Sequence, residues 1–341
     1  MNRQQRCFLA LLTIFSCWFA QGVQSAPRIL KVGTTLPANH PTAQSLYFLQ
    51  KELQAASNGQ LILQVFPDAQ LGSAPELLNG VQFGSIEMAV LPSELLAARS
   101  PCLQAIFMPY LFKDQAHRFR VLDSPTGKAL LDRLHDLNLF GIGFLDAGAR
   151  HLLMRDTPVL ALADLQGRKI GIIRLCPASE CADLAVELSR KVIAALGAAP
   201  ELVEAKQAGQ LLREQSVQGV EQMLWTAGDF AANEAGNWSF SLDTHIALPD
   251  IFVASQKWFA ALSPEQQAIL RRSAAKMVRL QRELLVEYTQ TALRELEGRG
   301  VVVQTIDQAA FRQVVQPMYD QMFEEFGEEF RQIVTSMSDV R

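Results

Sequence analysis

The stretch ILKVGTTLPANHPTAQSLYFLQKELQAASNGQLILQVFP, Ile29 to Pro67, sets the plan of the chain. ILKVGTTL (Ile29–Leu36) is a short run of β-forming residues. PTAQSLYFLQKELQAASNG then places Leu46, Leu49 and Leu53 at helical spacing, and Asn58-Gly59 supplies a stop. QLILQVFP (Gln60–Pro67) reads as a second strand that proline ends. A strand, an amphipathic helix and a second strand in this order form a crossover unit, which buries an apolar helix face on a parallel sheet.

The same alternation continues outward. APELLNGVQFG reads as a helix and IEMAVLP (Ile86–Pro92) as a third strand. Near Asp164 the plan restarts: GRKIGII is a strand, ADLAVELSRKVIAALG a helix closed by Gly197, and ELVEA a strand. A helix from about Lys206 to Gln215 and then VQGVEQML follow. Two such sets predict two α/β lobes, with ligands near the carboxyl ends of the strands. Farther on, Ser263 is a natural N-cap, Pro264 suits the first helical position and Gln266 completes a capping box. The helix they start reaches Gly298 or Gly300. About 35 residues at 1.5 Å each span roughly 50 Å, enough to cross both lobes. Leu270, Met277, Leu280 and Leu284 form its expected apolar stripe.

The N-terminus predicts export. Arg3 and Arg6 precede CFLALLTIFSCWFA, and VQSA offers small residues for cleavage near Ser25 or Ala26. The apolar run is short of the roughly 20 residues that span a bilayer. Loss of residues 1–26 takes two arginines and no acid, moving the formal net charge from −4 to −6. No basic stripe is present, which argues against a nucleic-acid partner. Cys102, Cys176 and Cys181 remain. In an oxidising compartment Cys176 and Cys181 could pair across PASE, adding about 2 kcal/mol in a loop this short, or stay as two free thiols. Zinc-site spacing is missing. The chain has no G-x-S-x-G elbow, H-E-x-x-H or phosphate loop, and its histidines are scattered, so neither catalysis nor a cofactor or metal is expected.

Several motifs in order carry a resemblance: NHP (Asn39–Pro41), FPDAQLGSAPELLNGVQFGSIEMA (Phe66–Ala89), FMPYLF (Phe107–Phe112), AGARH (Ala147–His151), DLQGRKI (Asp164–Ile170) and LSPEQQAIL at the long helix. Over about Leu30 to Ile333 the chain resembles the DctP-like substrate-binding proteins of TRAP transporters, the tripartite ATP-independent periplasmic family. The resemblance implies a two-lobe periplasmic binding protein fold with hinge strands and a long helix spanning both lobes. Lobe I would comprise residues 27–150, about 240–262 and 301–341, lobe II residues 151–239, and the spanning helix 263–300. It also implies capture of a small organic acid in the cleft, delivery to the small and large membrane subunits of a sodium-driven transporter, and a periplasmic location. A periplasmic sensor or adaptor would use the same fold.

The family's clamp is arginine, whose planar guanidinium donates two parallel charge-assisted hydrogen bonds to a carboxylate. Arg150, in Gly148-Ala149-Arg150, matches one family arginine; the other falls on Gly171. Where the family has VDGQEN this chain has VQGVEQ, keeping Glu221 but placing glutamine at 218 and 222. Three arrangements stay open: Arg174 substitutes as the clamp; Arg150 alone holds the acid with help from Thr35, Ser93 and Gln222; or the ligand is held otherwise, with Trp225 or His245 stacking or hydrogen bonding. The second is the favoured expectation.

Overall fold

The computed structural model describes residues 26–174, 184–233 and 236–341. The export segment and the Cys176–Cys181 pair lie outside these residues. So does the side chain of Arg174, although its backbone ends a strand.

Among the described residues, one nine-stranded sheet runs through both blocks of the fold. Its strands are β1 (Arg28–Gly33), β2 (Leu61–Phe66), β3 (Met88–Pro92), β4 (Leu139–Arg155), β5 (Lys169–Arg174), β6 (Ala199–Glu204), β7 (Gly219–Met223), β8 (Trp238–Ser255) and β9 (Val302–Thr305). The order is β2-β1-β3-β8-β4-β7-β5-β6, with β9 on β8. β2-β1-β3 is one parallel block and β7-β5-β6 another. The sequence's two crossover sets are these two blocks. Between them lie β4 and β8, antiparallel to each other from Leu139↔Ser255 to Arg155↔Trp238. Each long strand therefore belongs to both lobes. β8 pairs with β3 through residues 250–254, and β4 pairs with β7 through residues 150–154.

The crossover region of β4 is irregular: its register with β8 shifts between Asp146 and Ala149 and again between Arg150 and Leu152. Gly148 sits there at φ +92°, a backbone state that side chains disfavour. A shift bends a strand and increases its twist.

The helices used below are α1 (Pro41–Ala56), α2 (Ala74–Phe83), α3 (Ser93–Ala97), α4 (Gln115–Asp123), α5 (Leu184–Ala195), α6 (Ala205–Arg213), α7 (Leu224–Asn233) and α8 (Pro264–Gly298). α1 is opened by His40, whose Nδ1 accepts the Thr42 N–H at 3.2 Å. Leu46, Leu49 and Leu53, the residues that marked this helix in the sequence, are fully buried on the first block. α8 is the expected 35-residue helix, and its Ser263/Gln266 capping box forms. Ser263→Ala should cost about 1 kcal/mol, read as a lower midpoint in urea with an unchanged slope.

α8 packs on α1 and β4 at one end and on α7 farther along, so it does span both lobes. Its buried face differs from the expected leucine stripe. Leu270 and Met277 are buried, but Leu280 and Leu284 are only half-buried. Gln281 and Arg282 lie inside instead. Gln281 accepts the Asp146 N–H at 3.0 Å and donates to the Asp146 carbonyl at 2.7 Å, pinning the irregular part of β4 to the helix. Arg282 donates to both carboxylate oxygens of Asp123 and to the Phe144 carbonyl. The helix crosses a polar hinge, so a leucine pattern could not predict its inner face.

Candidate functional site

β4, β7 and β8 meet where the two blocks join, and the site is built from them. The register sets Leu152 opposite Glu221 and Arg150 opposite Met223. Arg150 reaches across and donates from Nη1 to Glu221 Oε2 at 2.9 Å. The other Glu221 oxygen accepts from His245 Nε2 at 2.7 Å and from the Ser189 hydroxyl of α5 at 2.9 Å. His245 Nδ1 in turn donates to Asp243 Oδ2 at 2.7 Å. Carboxylates only accept, so a histidine between two of them carries both protons as imidazolium. Tyr110 completes the chain: its hydroxyl donates to Asp243 at 3.4 Å and its N–H to the His245 carbonyl at 3.0 Å.

These groups are buried as a balanced set, two cations against two anions. Burial alone would raise the Glu221 carboxyl, but Arg150, His245 and Ser189 hold it down at about 2. Burial would likewise lower His245, and Asp243 and Glu221 lift it to about 9. His151 has the reverse balance. Burial pushes it to about 4, so it is neutral, with Nδ1 accepting the Thr244 N–H at 3.1 Å.

Arg150 is the member with capacity to spare. One of its nitrogens serves Glu221, while Nε is buried with no partner among the described residues. Two acids stand in the first block nearby. Asp250 lies opposite Pro92 and Leu145, and Glu94 is in the first turn of α3. Burial, then Glu94 and Asp146, push the Asp250 carboxyl well above the usual carboxylate range; burial also raises Glu94, against an opposing pull from Arg150. A carboxyl donates a hydrogen bond only when it carries its proton, the form that burial favours at these two positions.

The residues singled out in the sequence divide into three groups. Arg150, Glu221 and His245 come together, but Glu221 and His245 are sealed beneath Arg150, 1% and 0% exposed. Both His245 nitrogens are engaged, so its place is to hold Glu221 rather than to touch a ligand. Gln222, near the end of β7, and Trp225, at the start of α7, follow in sequence: the Gln222 amide oxygen accepts from Thr226, and the Trp225 indole nitrogen is buried without a partner among the described residues. Ser93 and Thr35 complete the set. The Ser93 hydroxyl is already given to the Pro249 carbonyl, and Thr35 is half-buried beside the fully enclosed Thr34.

A Cβ at Gly171 would meet Val220 Cγ1 at 3.0 Å and Val203 Cγ2 at 3.1 Å, so the valine methyls stand in tight contact with the first atom of any side chain at the place of the family's second arginine. Sequence reading missed Asp243, Ser189 and Tyr110. Of these, Asp243 was within reach: in Asp-Thr-His, residues two apart on a strand share a face.

The sequence model of the bacterial extracellular solute-binding proteins, family 7, matches residues 32–326. The chain belongs to this family. Among the relatives of this family 7 protein is the 2,3-diketo-L-gulonate-binding periplasmic protein of Escherichia coli, 28% identical, with 80% of this chain and 79% of the relative covered. A TRAP periplasmic solute-binding protein from Ochrobactrum anthropi, solved with its C-terminus in the ligand-binding pocket, superposes with TM-score 0.83. It is 25% identical, covering 92% of this chain and 95% of that one. A Bradyrhizobium TRAP solute-binding protein in complex with D-galacturonate gives TM-score 0.74 at 29% identity, covering 92% and 100%. In the family 7 chain described here the last carbonyls are held elsewhere: His117 contacts that of Val340 and Arg120 donates to that of Arg341. The two-lobe fold and the small-acid-binding transport role read from the sequence are those of the family.

Proposed function

We propose that this family 7 protein captures a sugar acid between its lobes and delivers it to the small and large membrane subunits of a TRAP transporter, after export to the periplasm directed by residues 1–26. The carboxylate is held by Arg150, and the ligand's hydroxyl groups meet Gln222, Asp250 and Glu94. The observation that carries this is the state of Arg150. It is a buried guanidinium fixed by Glu221, with donors left over, on a strand shared by both lobes. Fixing one edge of the fork in advance reduces the ordering cost of binding with the other. The relatives that hold galacturonate or diketogulonate give the ligand class.

At Gly171, the position of the family's second arginine, no side chain is available, and a Cβ there would already touch Val220 and Val203 closely. One arginine suits a monocarboxylate with neutral hydroxyls better than a dicarboxylate. A thermal-shift panel of the exported form tests this. D-Glucuronate, D-galacturonate and 2,3-diketo-L-gulonate are set against succinate, malate and neutral sugars. At 100 times its Kd a ligand adds about 2.7 kcal/mol of stability. A sugar acid should give the largest rise; a dicarboxylate or a neutral sugar ranking first would reject the assignment.

A further inference from the structure

His40, Trp225 and Tyr288 come from three separate parts of the molecule and meet in one aromatic contact. His40 follows β1 and caps α1 in the first block; Trp225 follows β7 and begins α7 in the second; Tyr288 is on α8, which touches both. The ring centroids of His40 and Trp225 are 5.7 Å apart at 67°, and those of His40 and Tyr288 are 5.7 Å apart at 68°. Both are edge-to-face arrangements, the geometry that ring quadrupoles favour.

The surroundings fix this geometry. His40 is 3% exposed, and its Nδ1 accepts the Thr42 N–H, so the ring cannot turn without uncapping α1. On the other side Thr226 bonds to Gln222 and to the Met223 carbonyl, which ties the first turn of α7 to the end of β7. Trp225 therefore moves with the strand that carries Glu221 and Gln222, and His40 moves with the first block. A contact between them exists only when the two blocks are close.

We propose that His40 and Trp225, backed by Tyr288, are an interlobe latch: positioning residues that set how far the closed arrangement is populated, and hence the affinity for ligand. A protein whose binding-competent state is a fraction f of the whole binds with its intrinsic Kd divided by f. Loss of the latch lowers f and weakens every ligand alike, whereas loss of Arg150 discriminates against acids. The inference rests on the two-lobe capture reading above.

The test reads lobe separation directly. Spin labels are placed at Gln54→Cys and Lys191→Cys, exposed positions on α1 and α5, with Cys102, Cys176 and Cys181 changed to serine. Label–label distances are measured without ligand, so a failed ligand panel leaves the result intact. His40→Asn is the decisive variant, because asparagine also caps helices well and removes only the ring. His40→Asn and Trp225→Ala should each lengthen the mean distance by more than about 2 Å, the scale of genuine domain movements. Trp225→Phe, which keeps an edge-on ring, should stay near the parent distance. The double variant should open no further than either single one, since the contact is mutual. With D-galacturonate as probe, His40→Asn should raise Kd about 10-fold, mainly through faster dissociation. Parent-like distances in His40→Asn overturn the latch, as does opening in Trp225→Ala alone. If Trp225→Ala does not fold, His40→Asn decides.

Discussion

Glu221→Ala is expected to lower stability by about 3–5 kcal/mol, the usual result of removing one partner from a buried ion pair. The midpoint should fall by about 6–20 °C, given about 2–4 °C per kcal/mol in a chain of moderately large size. The cause is what the variant leaves behind: Arg150 and His245 would remain buried without Glu221, and Asp243 would stay as a partner of His245 but not of Arg150. A fall of less than about 2 °C would mean that water already reaches this network.

The pH dependence has two opposite limbs. Glu221 is held at about 2, below its unfolded value, so its contribution is present above about pH 4.5 and is lost as pH falls through 2. His245 is raised to about 9, so its contribution is complete below about pH 6.5 and is lost as pH rises through 9. The two shifts belong to one coupled network, and their joint worth is on the order of 3 kcal/mol rather than the sum of the two. Stability from this network should be greatest between about pH 4.5 and 6.5. Urea midpoints of the parent should decline from pH 6.5 to 9, and His245→Gln should flatten that decline. An equal slope in both would show that another group titrates there.

The second large effect concerns the ligand. Arg150→Ala should weaken binding of a sugar acid at least about 100-fold, since two charge-assisted hydrogen bonds are worth about 3 kcal/mol together. Arg150→Lys keeps the charge without the fork and should lose about 10-fold. Calorimetry on variants with preserved circular dichroism makes the comparison. Affinity within threefold of the parent for Arg150→Ala would remove the arginine from the ligand's contacts.

The fold was more legible than the site. Strand and helix periodicity, with Asn58-Gly59, Pro67 and the Ser263/Gln266 box as punctuation, located the crossover units and the long helix because those signals are local. The inner face of α8 was not legible. Gln281 and Arg282 are buried only because the irregular part of β4 and Asp123 need their donors, and that demand comes from elsewhere in the chain. Arg150 was legible through its motif and Glu221 through the strand it shares with Gln222. Their dependence on His245, Asp243 and Tyr110 arises from three-dimensional register across β4, β7 and β8. Gly171 illustrates the limit of a motif: its place in the sequence marks an absent arginine, while only packing shows valine methyls standing there. His40 likewise looked like part of a motif, and its second neighbour, Trp225, lies far along the chain.

The most direct measurement of the central claim is a pair of calorimetric titrations: the tightest-binding sugar acid, and the neutral sugar of the same stereochemistry that lacks only the carboxylate. If Arg150 holds the acid as described, the sugar acid binds at least about 100-fold more tightly, the worth of its two charge-assisted hydrogen bonds. Equal affinities for the two would contradict it, because the carboxylate would then contribute nothing to capture.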